Sequence, residues 1–315
     1  MNQQSWANMT AQPICKQCGQ PVGRSYITAL GATWHPEHFL CAACHQPIGN
    51  ARFNLHEGAP YHPECYRQQV APRCAYCGKP LVGEYLVDHW GTKYCKEHQR
   101  QYPACSFCGR LVPPQQQEPG MKSSGSVRCP VCRASAIETA DQAQPVFSQL
   151  KRWVNGQGLM YNNLPLTLIL GDQPKLSELL KGHAEPHALG VTLSTTHTQN
   201  RQVIRTEVSG VAILEGLPTT LFQGVTIHEL GHVRLIVHDV KGLPSWAEEG
   251  FCELLSYRYY TQLNTSEGRY YAAGIEHNSH PVYGEGFRRV RAVADYMGFR
   301  RFVETMQRTK RLPSV

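Results

Sequence analysis

The densest hydrophobic stretch of the chain lies between Pro218 and Asp239, where Leu221, Phe222, Val225, Ile227, Leu230, Val233, Leu235 and Ile236 are apolar. That spacing is too crowded to leave one apolar face, so it predicts a largely buried helix opened by proline. Upstream, the pattern predicts a helix from Phe147 to Leu159, a buried strand from Leu164 to Leu170 and a short helix from Pro174 to Gly182. Alternating positions predict strands from Ala188 to Thr195 and from Val203 to Leu214. Downstream, helices are expected from Phe287 to Met297 and from Phe299 to Arg308, divided at Gly298. Before them, Gly268 to His280 reads as a surface loop that could move over a cleft.

The first 140 residues have no comparable apolar run. Their pattern is one of paired metal donors, with twelve of the thirteen cysteines between Cys15 and Cys132. The first group runs Cys15, Cys18, His35, His38, Cys41, Cys44, His62 and Cys65. Two fingers sharing a two-residue hinge follow from it: Cys15, Cys18, His35 and His38 in one, and Cys41, Cys44, His62 and Cys65 in the other. This is the LIM pattern, with Trp34-His35-Pro36-Glu37-His38-Phe39 at its centre and histidines at two positions where cysteine is usual. The second group gives Cys74, Cys77, Cys95 and His98, then Cys105, Cys108, Cys129 and Cys132. Its hinge is six residues long, which makes it LIM-like. Under that assignment Pro113 to Val127 is a flexible loop inside the last finger. Regular two-residue pair spacings fit tetrahedral zinc rather than disulfides, and nothing marks a secreted chain.

The buried helix carries chemistry of its own. His228 and His232 lie four positions apart, on one side of a helix, so both can reach one metal ion. Glu229 then sits beside the open coordination position, where it can take a proton from an attacking water. A third protein ligand is needed, and Glu249 supplies it from the next helix. In gluzincins, the relatives of thermolysin and the zinc aminopeptidases, the glutamate ligand lies on a second helix. In the aminopeptidases it directly precedes Gly-Phe, as Glu249 does here. Glu253, one turn on, is placed to accept a hydrogen bond from a ligand histidine. Cys252 reads as a small buried apolar residue. For the developing oxyanion, Tyr283 is the first candidate and His280 the second.

Composition narrows the partners. The chain has 315 residues and a formal charge of +7. Twelve thiolates with four zinc ions remove four units and a catalytic zinc returns two, leaving about +5, too modest an excess to argue for nucleic acid. No apolar run approaches a membrane span and the first twelve residues are polar, so a cytoplasmic protein is expected. The expected organisation is a polar tail (1–12), a LIM domain (13–70), a LIM-like zinc domain (71–140) and a zinc metallopeptidase domain (141–315). The fold class is α+β: two tandem zinc-finger modules, then a gluzincin-type domain with a small sheet and an HExxH helix. Five zinc ions are expected, four structural and one catalytic.

Taken together, the chain resembles the plant LIM-domain peptidases that limit organ and seed size and are activated by ubiquitin. The resemblance runs from Pro13 to the C-terminus. Besides the fingers it rests on Glu215-Gly-Leu-Pro218, Gly224, His228-Glu-x-x-His232, Glu248-Glu249-Gly250, Pro281-Val-Tyr-Gly-Glu-Gly-Phe-Arg288 and Arg311-Leu-Pro313. It implies a zinc endopeptidase cutting regulatory proteins, with LIM modules for protein recognition or autoregulation and with ubiquitin or a ubiquitin ligase as partner. With only polar residues before Pro13 and no acidic cluster, the chain resembles a shorter member lacking the ubiquitin-interacting motifs. The rival reading is a catalytically inactive or latent LIM adaptor.

Overall fold

In the computed structural model, which describes residues 12–117, 127–159, 161, 164–180, 188–199 and 202–313, the chain divides after Gln101 into two compact units. The polar tail before residue 12 and most of the loop expected between Pro113 and Val127 fall outside the described residues.

The N-terminal unit repeats one small design three times. Each finger opens on a Cys-x-x-Cys turn in which the residue after the second cysteine donates its N–H to the first cysteine's carbonyl: Gly19 to Cys15 (2.8 Å), His45 to Cys41 (2.9 Å) and Gly78 to Cys74 (2.9 Å). That residue has φ of +70°, +58° and +70° in turn, a left-handed conformation that suits glycine and that His45 adopts at a cost. Short hairpins follow: Ile27–Ala29 with Ala32–Trp34, Asn54–His56 with Ala59–Tyr61, and Leu86–Val87 with Lys93–Tyr94. The shared apolar core of the first two fingers is small: Ile27, Phe39, Cys41 and Ile48.

The C-terminal unit begins with the fourth finger. Gly109 repeats the turn, with φ of +71° and its N–H on Cys105 O at 2.9 Å. The LIM-like module expected over 71–140 therefore straddles the division between the units. Its last finger joins the C-terminal one because its apolar residues Phe107 and Ile137 pack into that unit's core. Helix α1 (Ala140–Gly156) then starts seven residues earlier than the apolar pattern indicates. A capping box between Thr139 and Gln142 launches it, and Pro145 sits inside it near the N-terminus.

Strand β1 (Thr167–Gly171), helix α2 (Gln173–Leu179) and strands β2 (Gly190–Gln199) and β3 (Gln202–Leu214) follow. The sheet order is β1–β3–β2, with β3 parallel to β1 and antiparallel to β2, so β2 forms one edge. Beyond it, α3 (Thr219–Val237) and α4 (Ser245–Leu263) cross at close range. A Cβ added to Gly231 of α3 would lie 2.9 Å from Cys252 Sγ and 3.2 Å from Cys252 Cα on α4. Phe222, Ile227, Leu230 and Val233 of α3 and Phe251 and Leu255 of α4 are fully buried, as the dense apolar pattern predicts.

The segment Gly268 to His280 is not a loop. Most of it is helix α5 (Ser266–Glu276), capped by Thr265 Oγ1 on Gly268 N and packed through Ala272. Tyr271 stacks on Tyr260 of α4. Two glycines and few aliphatic residues hide its packing face in sequence. Helices α6 (Gly284–Met297) and α7 (Phe299–Thr309) close the core with Phe287, Val290 and Phe302. Among the described residues no helix is long and apolar enough to cross a membrane.

Candidate metal centre

Among the described residues, five groups of donor atoms converge. A tetrahedral zinc site with bonds of about 2.0–2.1 Å to N or O, and about 2.3 Å to S, separates its donors by about 3.3 Å and about 3.8 Å respectively. The four finger sets approach this spacing. Cys18 Sγ lies 3.5 Å from His35 Nδ1, Cys15 Sγ 3.5 Å from His38 Nδ1, and the two Nδ1 atoms 3.3 Å apart. Cys44 Sγ is 3.3 Å and Cys65 Sγ 4.0 Å from His62 Nδ1. Cys77 and Cys95 sulfurs are 3.9 Å apart, and those of Cys108 and Cys129 are 3.5 Å apart.

Ring orientation supports the same reading. His35 and His62 each place Nε2 against a carbonyl, Pro21 O at 3.3 Å and Pro47 O at 3.2 Å. With Nε2–H donating there, Nδ1 is left as the lone-pair donor toward the thiols. His98 is turned the other way, its Nδ1 on Gln101 Oε1 at 3.2 Å, so coordination in the third finger would run through Nε2.

The fifth group lies between α3 and α4. His228 Nε2 is 3.3 Å from His232 Nε2, and Glu249 Oε2 is 3.1 Å from the first and 3.6 Å from the second. These three edges bracket those of a tetrahedral zinc site. Cys252 Sγ also lies within 4.8 Å of donor nitrogens from both rings. The carboxylate is partly open to solvent, whereas the thiol is fully buried against Gly231 and burial pushes its pKa up. Cys252 fills the helix crossing, and Glu249 Oε2 stands within 3.6 Å of both rings.

Each histidine is held from behind by a carboxylate. His228 Nδ1 meets Glu253 Oε1 at 3.4 Å, and His232 Nδ1 meets Glu248 Oε1 at 3.1 Å. Such partners fix the tautomer and raise the basicity of the coordinating nitrogen. Glu253 is placed where its spacing predicts. Glu248, to which the sequence analysis assigns no role, meets the second ring. Burial opposes charge on both histidines, but hydrogen bonds to Glu249 and Glu253 raise His228 well above its ordinary pKa. Burial likewise opposes charge on His232, which the Cys252 thiol, Glu248 and Glu249 raise. Burial works against the Glu249 charge too, yet the two imidazoles bring that carboxyl down to about 2.

Glu229 is 7% exposed and faces the start of β2. The Thr192 hydroxyl lies 2.9 Å from Glu229 Oε2 and 3.0 Å from its carbonyl. A Cβ at Gly190 would stand 2.9 Å from Glu229 Cγ and Oε1, so glycine makes room for the side chain. Sequence reading had no signal for Gly190 or Thr192, because their role exists only once the sheet edge meets α3. His280 and Tyr283 sit together before and at the start of α6, with ring centroids 5.2 Å apart. One turn later Gly286 presses on Trp246 O in the first turn of α4, the turn that leads into Glu249.

Comparison with known proteins places this arrangement. A LIM domain model matches residues 15–70, and the model described as Protein DA1 matches residues 168–269, from the sheet through α4. Protein DA1 of Arabidopsis thaliana is 26% identical over 364 residues, covering 95% of this chain and 68% of its own length. The chain carries a LIM domain followed by a DA1-like domain. Protein DA1-related 1 of the same plant is 25% identical, covering 95% of the chain and 66% of itself. The LIM domain-containing protein HDR3 of Oryza sativa subsp. japonica is 24% identical, covering 98% and 76%. The DA1 match takes in every residue of the fifth group and both carboxylates behind it, whereas Tyr283, His280 and the Cys105 finger lie outside both family models.

Proposed function

We propose that this chain is a zinc-dependent endopeptidase of the gluzincin type that cuts regulatory protein substrates. The observation that carries the proposal is the triangle of His228 Nε2, His232 Nε2 and Glu249 Oε2 at 3.1–3.6 Å, with Glu229 on the same helix. Zinc held by His228, His232 and Glu249 would supply a Lewis acid for a substrate carbonyl and for the attacking water. Glu229 accepts the proton from the attacking water and passes it to the leaving amine. Thr192 holds one Glu229 oxygen, which keeps the carboxylate aimed while the other is left for the proton. The free edge of β2, running past Glu229, is suited to an extended peptide backbone added as a further strand. Tyr283, with His280 beside it, is the candidate donor to the developing oxyanion.

The fingers suit protein recognition. Across the first two, Lys16, Leu30, Trp34, His38, Phe39 and Pro60 line an open groove of about 510 Å³. By family resemblance the partners are protein substrates, ubiquitin or a ubiquitin ligase. The test is to incubate the zinc-loaded protein and its Glu229→Gln variant with casein, with and without a ubiquitin-linked partner, and to read cleavage by mass spectrometry. Cleavage by the wild type, reduced about 10²- to 10⁴-fold in the variant, is expected. Equal cleavage by a metal-replete variant would remove Glu229 from the mechanism. No cleavage from a fully zinc-loaded wild type in either condition would favour the adaptor reading.

A further inference from the structure

The contacts of the fourth finger converge on the first turn of the metal helix. Helix α3 has no side-chain cap at its N-terminus, so the donors of its first turn need another acceptor. Ser135, three residues after Cys132, provides one: its carbonyl accepts from Thr219 N at 2.8 Å and from Thr219 Oγ1 at 2.7 Å. The flanking segments Ala136–Ile137 and Leu217–Pro218 pair as a two-stranded antiparallel sheet, and Gly216 N donates to Ile137 O at 2.8 Å. Arg128, next to Cys129, bonds Glu138 Oε1 at 2.6 Å and Gly216 O at 3.4 Å. On its other side, a Cβ added to the finger's Gly109 would lie 3.1 Å from the Tyr270 hydroxyl of α5. All four cysteines are buried, whereas Cys18 and Cys77 of the N-terminal unit are exposed.

We infer that the Cys105, Cys108, Cys129 and Cys132 finger is the N-terminal cap of the metal helix, so that metal held by these thiols positions His228 and His232 and tightens metal binding between them. The inference rests on the reading of His228, His232 and Glu249 as a zinc site. The donor set fits zinc: four sulfurs converge, and backbone N–H groups of Cys129 and Cys132 donate to Cys105 Sγ and Cys129 Sγ, both at 3.4 Å. Thr219 lies nine residues before His228, about 14 Å along a continuous helix. A helix that loses its cap frays from that end, and the coupling is reciprocal, each metal favouring the other.

The experiment uses the full chain and reads zinc per chain together with amide hydrogen exchange over residues 219–232. Cys15→Ser with Cys18→Ser should lose one zinc and leave exchange in 219–232 unchanged. Cys129→Ser with Cys132→Ser should lose two zinc ions and speed exchange there about tenfold or more. Loss of a single zinc with exchange within twofold of wild type would overturn the inference. If that double variant unfolds the unit, Thr219→Val, which keeps every cysteine, decides. It should retain the four finger zinc ions and release the fifth to a chelator about tenfold more readily, and unchanged release and exchange would overturn the inference. His228→Ala separates the two claims. If it does not lower the zinc count, the zinc reading of α3 fails, and exchange in 219–232 still judges the cap.

Discussion

The two units set out their metal donors in opposite ways. In the N-terminal unit the donors surround a core of Ile27, Phe39, Cys41 and Ile48, too little apolar surface to fold without the ions. In the C-terminal unit a continuous core runs from Phe147 through Phe222, Leu230, Phe251 and Phe287 to Phe302, and His228, His232 and Glu249 stand on helices that this core already fixes. There the fold places the donors, whereas in the fingers metal would place the fold. The Cys105 finger combines both, with a finger's donor set and the larger core's packing.

The sharpest way to break this contrast is Cys41→Ser. Cys41 is fully buried and belongs to both the donor set and the small core, and structural zinc carries on the order of 10 kcal/mol of metal-linked folding energy. Thermal unfolding should lose the finger transition and keep that of the C-terminal unit. Simultaneous loss of both would mean that the units do not fold independently. Leu230→Ala tests the other side. Leu230 is fully buried between the two metal histidines in sequence, and its truncation should cost about 2–5 kcal/mol in urea titration of the C-terminal unit, with the finger zinc count unchanged.

Proton competition comes next. In the metal-free unit both imidazoles have raised pKa values, from an ordinary 6.5, and Glu249 is lowered from 4.5 to about 2. A raised histidine contributes stability that is complete below pH 6.5 and is lost as pH rises through its folded value. The lowered carboxyl contributes above pH 4.5 and loses its part as pH falls toward 2. The metal-free pairing is thus strongest between about pH 4.5 and 6.5. Metal must displace the imidazole protons, so affinity at the fifth site should rise with pH, by up to about a hundredfold per unit for two protons. A flat chelator-competition profile from pH 5.5 to 8 would count against it.

Glu248→Gln and Glu253→Gln should each weaken that site about 10- to 100-fold without moving the fingers. Competition with a graded chelator measures it, and a loss confined to Glu253→Gln would leave Glu248 as an ordinary surface acid. At the small end, Glu304→Gln removes an exposed ion pair with Arg300 on α7 and should shift stability by less than about 0.5 kcal/mol.

Much of this architecture was legible in the residues. Cys-x-x-Cys spacing and His-x-x-x-His spacing are local geometry, so the four finger sets and the pair on α3 can be read without a fold. Glu249 was reachable through the Glu-Gly-Phe that follows from it. Helix α5 was not, because Tyr271 and Ala272 pack through ring stacking and a small residue rather than an aliphatic stripe. Glu248 was not either, since no motif marks it and its contact with His232 exists only once α4 crosses α3.

The sequence by itself determined which atoms can bind metal and which segment is buried, because donor chemistry and apolar spacing act over a few residues. Only the tertiary structure decided that β2 brings Thr192 to Glu229, 37 residues away, and that Ser135 caps the metal helix at Thr219, 84 residues away. Those contacts come from how sheet, helices and the fourth finger pack on one core, and no short-range pattern encodes that.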